Sequence, residues 1–268
     1  MILTFCMCLK DRLHMIPDSI KSISTQDNLN DCAFVITEAV SENIVNPDTI
    51  KLDNLTHYVV DLDCDWSRGK LLNFGFKRSE SDFVLGWDCD FRFDSQFLET
   101  LVPMLESSPS TVFKIACYET KDGSRNGMTF PYQESYYEFK KGDRYGSCWV
   151  YPRKLVESVL GFDEEFVGWG SEERDLLNRI MIFNKSTPLV EICSHLDDRE
   201  DLEPHEFVNN YRFISSEHSC VSHETHSDES RHKIYVEMKA NKYKSVSNIQ
   251  NNISTPNKDW GNLTLIQA

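Results

Sequence analysis

Short apolar runs that stop abruptly at polar residues constrain this chain more than any other feature. Ile2–Met7 reads as a buried strand and gives way at once to Lys10-Asp11-Arg12. Cys32–Thr37 and Tyr58–Leu62 repeat the pattern, and Phe83–Trp87 is a central-strand run that ends in Asp88-Cys89-Asp90. Between them lie stretches with helical spacing: Ile16, Ile20 and Ile23 on one face with Pro17 early, then Trp66–Phe76, then Phe97–Leu105. Thr111–Tyr118 reads as another strand, Pro152–Leu160 as a helix, and Leu189–Cys193 as a strand with His195 directly after it. Strands alternating with helices predict an α/β fold, a single mixed but mainly parallel sheet flanked by helices. Such sheets bind ligands beyond the carboxyl ends of their strands, so the polar residues that close each apolar run are the ones to inspect for function.

The chain has 268 residues, 40% of them hydrophobic, which is enough for a sizeable core. From about Ser215 the character changes. His218, His223, His226 and His232 lie among Ser, Glu and Asp, and after Lys239 the chain is rich in Asn, Ser and Lys. The predicted organisation is a domain over 1–214 and a polar, partly ordered extension over 215–268, with Trp260 available to dock it. Histidines of this kind also bind metals. The net charge of −15 argues against a nucleic-acid backbone or an anionic membrane as main partner, and is compatible with a bound cation. Nine cysteines, an odd number without a CxxC pair, indicate reduced thiols and a reducing compartment. Met1–Leu9 is too short for a signal segment and no apolar run approaches 18 residues, so the expectation is a cytoplasmic chain with no integral membrane segment.

Three acidic groupings stand out, two of them after strands. Asp61, Asp63 and Asp65 lack the glycine and distal glutamate of a calcium loop and read as a solvated turn. Asp88 and Asp90 put two carboxylates at a strand's carboxyl edge, where a divalent ion can also hold phosphate oxygens. The third grouping is in Gly161–Asp175, where glycines alternate with aromatics before a helix over Glu172 to about Phe183. Ser171 is a fair N-cap, placing Glu172 and Glu173 in the first turn. Two readings stay open: acids complementing the helix dipole, or a sugar site in which Trp169 stacks on a pyranose and a carboxylate takes a hydroxyl proton. Trp66-Ser67-Arg68-Gly69-Lys70 is open in the same way, between an amphipathic helix with snorkelling cations and a stacking-plus-cation site for a nucleotide. Residues 119–146 hold Gly123, Gly127, Pro131, Gly142 and four tyrosines, the pattern of a long functional loop.

Taken together, these stretches resemble glycosyltransferases of the GT-A fold, in particular the beta-1,4-galactosyltransferase family and its chondroitin-synthase-type relatives. Trp66–Phe76 resembles that family's Phe-Asn-Arg-Ala-Lys-Leu-Leu-Asn-Val-Gly-Phe, and Asp88-Cys89-Asp90 its Asp-Val-Asp. Gly168-Trp169-Gly170-Ser171-Glu172-Glu173 resembles its Gly-Trp-Gly-Gly-Glu-Asp, Lys10-Asp11-Arg12 its Arg-Asn-Arg, and Tyr145-Gly146-Ser147 its Phe-Gly-Gly. The resemblance spans about residues 1–200. It implies a UDP-sugar donor, a glycan or glycoconjugate acceptor and Mn²⁺ (or Mg²⁺). Trp66 would stack on uracil, with Arg12, Arg68 and Gly146 near the donor. Asp88 would lie by ribose and metal, and Asp90 and His195 would bind the metal. Trp169 would pack between donor and acceptor, Glu172 would hold acceptor hydroxyls, and Glu173 would be the catalytic base. The chain departs from the family at Glu173, where an Asp is usual, at Ser171, where a glycine is usual, and at Arg174, where an acid is usual. Its second strand ends in Thr37-Glu38 rather than the Asp common in related transferases. The activity implied is inverting transfer of a hexose or N-acetylhexosamine. Its rivals are a retaining transferase of the polypeptide N-acetylgalactosaminyl type and a binding module without turnover.

Overall fold

The computed structural model describes residues 1–115, 117–120, 148–184, 211–214, 221–224 and 231–268. Four parallel strands form the centre: β1 (Leu3–Leu9), β2 (Cys32–Ala39), β3 (Leu55–Asp61) and β4 (Phe83–Asp88), with β1 between β2 and β4. The chain therefore winds outward from β1 to β3 and returns to β4 on the other side of β1. That reversal opens a crevice at the carboxyl ends of β1 and β4, where an open α/β sheet binds its ligands. In register, Cys8 of β1 lies beside Asp88 of β4, which puts the segments after both strands at one edge.

Beyond β4 the sheet becomes mixed. β8 (Cys148–Pro152) runs antiparallel to β4, β6 (Val112–Ile115) antiparallel to β8, and β9 (Tyr211–Ile214) parallel to β6. The predicted strand over Thr111–Tyr118 is thus divided. Val112–Ile115 stays in this sheet, while β7 (Cys117–Thr120) joins β5 (Phe91–Phe93) and β10 (Val221–Glu224) in a second sheet of three strands. A continuous apolar run does not announce where it leaves one sheet for another.

Strand alternation sorts the core into two layers. Leu3, Phe5, Met7 and Leu9 face one side, where α1 (Ile16–Ser24) and α3 (Phe97–Ser107) cover them. Phe5 stacks on Phe34 at 5.1 Å and Phe93 meets Phe97 at 4.7 Å in that layer. Its buried indole, Trp87, donates to Ser19 Oγ at 2.9 Å, so no polar atom of the ring is stranded. Cys6 and Cys8 face the opposite layer with α2 (Arg68–Arg78), α4 (Arg153–Ser158) and α5 (Glu172–Phe183). Gly75 lets α2 lie close on the sheet: a Cβ there would meet Cys6 Sγ at 3.2 Å.

The segment expected as a polar, partly ordered extension over 215–268 contributes several elements among the described residues. Within it, α6 (Arg231–Gln250) packs on α5, Trp260 is buried, and β11 (Thr264–Gln267) pairs antiparallel with β3 as a strand of the main sheet. The contact is made largely by asparagines. Asn248 donates to Asp163 Oδ2 at 3.0 Å and Asp175 Oδ1 at 2.9 Å, and Asn257 donates to the carbonyls of Leu160 and Phe162 at 2.8 and 2.7 Å. Polar burial of this kind leaves no hydrophobic period in the sequence to read.

Candidate active site

Four segments meet at the crevice: the end of β1, the turn into α2, the end of β4, and the turn into α5. Ser67 caps α2, accepting from Lys70 N at 3.3 Å, and starts the helix so that Arg68 points inward. Arg68 is 6% exposed, far from a snorkelling surface cation. Room for its guanidinium comes from Gly86 in β4, where a Cβ would stand 3.3 Å from Arg68 Nη2. Arg68 Nε donates to Asp88 Oδ1 at 2.7 Å, and Nη1 donates to Glu173 Oε1. One buried cation therefore ties an acid at the end of β4 to an acid at the start of α5. Burial opposes its charge, but Asp88 and Glu173 raise its pKa overall.

Asp90 is 2% exposed and its Oδ2 accepts from Arg12 Nη1 at 3.2 Å. Arg12 also lies over the Trp169 ring, 5.5 Å from its centroid, and Trp169 faces Trp66 at 6.4 Å with 33° between the rings. One backbone and one side-chain bond fix this pair: Gly168 N donates to Trp66 O at 2.8 Å, and Ser67 Oγ to Phe166 O at 2.8 Å. The structure thus brings together Arg12, Trp66, Arg68, Asp88, Asp90, Trp169, Glu172 and Glu173. His195 and Gly146 lie outside the described residues.

The turn into α5 departs from simple capping. Ser171 occupies the N-cap position, but with φ of +69° and no side-chain bond to the helix. Gly168 and Gly170 share the left-handed region, with φ of +75° and +89°. The position where the resembling family has glycine therefore demands a glycine-like backbone. Glu172 is 8% exposed, and its Oε2 has no hydrogen-bond partner among the described residues. Burial pushes its carboxyl up, with Arg68 pulling the other way. Burial likewise pushes Glu173 up to about 8, opposed by Arg68 and helped by Glu172 and Asp88. Its side chain keeps 15% exposure, so a substrate can reach it.

Asp88 and Asp90 offer hard carboxylate oxygens, the donor type that Mg²⁺ and Mn²⁺ take, and a phosphate-bound ion needs only one or two such ligands. Among the described residues no larger His, Cys, Asp or Glu cluster gathers for a metal. The pair therefore fits a cation shared with a phosphorylated ligand.

Glu38 turns away from this role. It is fully buried, accepts from Val45 N through both oxygens at 3.2 and 3.1 Å, and meets His57 Nε2 at 2.8 Å, so it anchors the turn after β2. Asp63 pairs with Lys70 at 2.5 Å and is mostly exposed, as a solvated turn requires. Sequence reasoning passed over three residues. Gly86 interrupts a strand pattern, a usual sign of close approach. Asn73 is a lone polar residue between Leu72 and Phe74; it accepts from Phe162 N at 2.7 Å and donates to Phe162 O at 2.9 Å, fixing the start of the glycine-rich turn. Asn241 of α6, which bonds that turn from the far side, carried no signal at all.

A crevice at the β1/β4 switch point, with paired strand-end acids and an acid-bearing helix start, is the architecture of a GT-A glycosyltransferase. Among solved structures, S. aureus TarS 1-349 overlays with a TM-score of 0.59 at 16% identity, covering 94% of this chain and 71% of that one. TarS 1-349 in complex with UDP-GlcNAc gives 0.60 at 16% identity, covering 91% and 66%. The mannosyltransferase PcManGT from Pyrobaculum calidifontis, in complex with GDP-Man and Mn²⁺, gives 0.58 at 13% identity, covering 93% and 64%. The chain thus spans about two thirds of the length of these structures. No curated protein sequence matches it. The profile of glycosyl transferase family 2 matches residues 4–160, and that of the N-terminal domain of galactosyltransferase matches 130–192. The chain belongs to glycosyl transferase family 2 and is a glycosyltransferase. Glu172 and Glu173 fall beyond the first match and within the second.

Proposed function

We propose that the chain is a metal-dependent, inverting transferase that moves a hexose or N-acetylhexosamine from a UDP-sugar to a hydroxyl of a glycan or glycoconjugate. The observation that carries this reading is the Asp88–Arg68–Glu173 link, which fixes a donor-side acid and a solvent-reachable base at one buried cation. Glu173, in its ionised form, takes the acceptor proton as the hydroxyl oxygen attacks the anomeric carbon. The bond to the diphosphate breaks on the opposite face and UDP departs with the electron pair, so the anomeric configuration inverts. Glu172, buried with an unsatisfied oxygen, receives a hydrogen bond from the acceptor. Trp66 and Trp169 provide the flat apolar walls for base and sugar, and Arg12 lies at the rim beside Asp90. Arg68 serves the donor side from beneath by orienting Asp88. Asp90 and Asp88 would hold Mn²⁺ or Mg²⁺, with His195 as a further ligand, and the ion would supply positive charge for the departing diphosphate.

The described cysteines at 6, 8, 32, 64, 89 and 148 are unpaired, which supports a reducing, cytoplasmic location. No helix among the described residues is long and apolar enough to cross a membrane. The deciding experiment measures UDP release from a panel of UDP-sugars with and without Mn²⁺, followed by anomer-resolved NMR of the product. Mn²⁺-dependent release with inversion is expected. Retention of configuration would move the chain to the retaining class, and donor binding without release would make it a binding module.

A further inference from the structure

The glycine-rich turn over 166–170 is gripped from two sides. On one side stand Trp66 and Ser67, as described above. On the other stands α6, from much further along the chain. The Asn241 amide nitrogen donates to the carbonyls of Val167 at 3.1 Å and Trp169 at 3.0 Å, and Asn241 is 6% exposed. Both of its N–H groups are thus spent on the two carbonyls that flank Gly168. The neighbouring side chains of α6 fill the space over the glycines. A Cβ on Gly168 would fall 2.1 Å from Glu237 Oε2, and one on Gly170 would fall 2.9 Å from Met238 Cγ. Gly168 and Gly170 are therefore glycines for two reasons: their φ values, and the close seating of α6 on them.

We infer that α6 is a positioning element for the transfer reaction, with Asn241 the positioning residue that sets the plane of Trp169 between donor and acceptor. This rests on the function proposed above. A turn with left-handed residues at Gly168, Gly170 and Ser171 is strained, and the bond from Gly168 N to Trp66 O holds it from the side away from α6. Two convergent bonds to the carbonyls of Val167 and Trp169 fix the Val167–Gly168 and Trp169–Gly170 peptide planes, which bracket Gly168 and Trp169, and through them the direction in which the indole leaves the backbone. Asn248, further along the same helix, acts elsewhere. It joins Asp163 to Asp175, and so ties the loop before the turn to α5. The two asparagines thus separate geometry of the turn from docking of the helix.

The test compares the 268-residue chain with Asn241→Ala, Asn241→Asp and Asn248→Ala, with Asn251→Ala, exposed just past the end of α6, as control. Two readouts are used: amide hydrogen exchange over 166–170 with tryptophan fluorescence, and steady-state kinetics on the donor released in the UDP assay. Both Asn241 variants should lose exchange protection at 166–170 and shift the tryptophan emission. Acceptor kcat/KM should fall by about 10²-fold, the scale of a displaced substrate wall, with UDP affinity changed by less than about threefold. Asn241→Asp, isosteric but with no N–H to give, should do no better than Asn241→Ala. Asn248→Ala should lower the melting temperature while leaving protection at 166–170 closer to the wild type. Unchanged exchange and emission in Asn241→Ala would overturn the inference. So would a loss of kcat/KM matched by an equal loss in Asn248→Ala at the same melting temperature. If the wild type releases no UDP, the proposed reaction fails, while exchange and emission still judge the positioning role.

Discussion

At the scale of single residues, burial lifts the Glu173 carboxyl from 4.5 to about 8, so the carboxylate that can take a proton gains population as pH rises toward that value. Such a shift is also a statement about stability. Between those values the folded chain keeps a proton that the unfolded chain has released. The stabilisation from Glu173 is therefore fully present below about 4.5 and is lost as pH rises through about 8. In EDTA, the unfolding free energy of the wild type should fall across that window, and Glu173→Gln, which cannot titrate, should flatten the fall. Identical pH profiles for the two proteins would show that Glu173 ionises as an ordinary surface acid. Ser171 makes a second residue-scale point. Its type suggested a cap, while the chemistry of its position lies in its left-handed backbone. Sequence reading placed the N-cap and the two acids of the first turn, but not the left-handed backbone, because side-chain propensity says nothing of φ.

At the scale of elements, α2 and β4 depend on one another through the space above Gly86. A Cβ there would meet Leu72 Cδ1 at 3.2 Å and Arg68 Nη2 at 3.3 Å. Gly86→Ala should therefore cost about 1–3 kcal/mol by overpacking, read by urea denaturation, and should lower turnover further by moving the guanidinium that joins Asp88 to Glu173. A variant as active and as stable as the wild type would mean that Arg68 relaxes freely and does not set the site. The strands β1, β2 and β4 were legible as continuous apolar runs because both of their faces are buried, and the helices α1, α2, α3 and α5 because each presents an apolar period to one core layer. The motif residues were legible because strand ends collect functional groups. The division of residues 112–120 between two sheets was not legible, since pairing partners are set by distant segments. Asn73 and Gly86 were half visible, as interruptions in apolar patterns.

At the scale of the whole molecule, the C-terminal segment closes the structure around its site. Trp260 seats its ring near Gly161, Lys77 Nζ donates to Trp260 O at 2.7 Å and to Asn262 Oδ1 at 2.9 Å, and β11 extends the sheet past β3. Trp260→Ala should cost about 3–5 kcal/mol, the range for losing a buried aromatic, seen as a lower urea midpoint with an unchanged slope. A loss below about 0.5 kcal/mol, the level of an ordinary surface substitution, would mean the segment is a passive appendage, as its polar composition first suggested. Acids far apart in the chain act here as one site, with Glu173 as the proposed base. Turnover of Glu173→Gln on the donor that the wild type consumes tests it most directly. The account expects a fall of about 10²–10⁴-fold with UDP-sugar affinity retained; turnover equal to the wild type would contradict it.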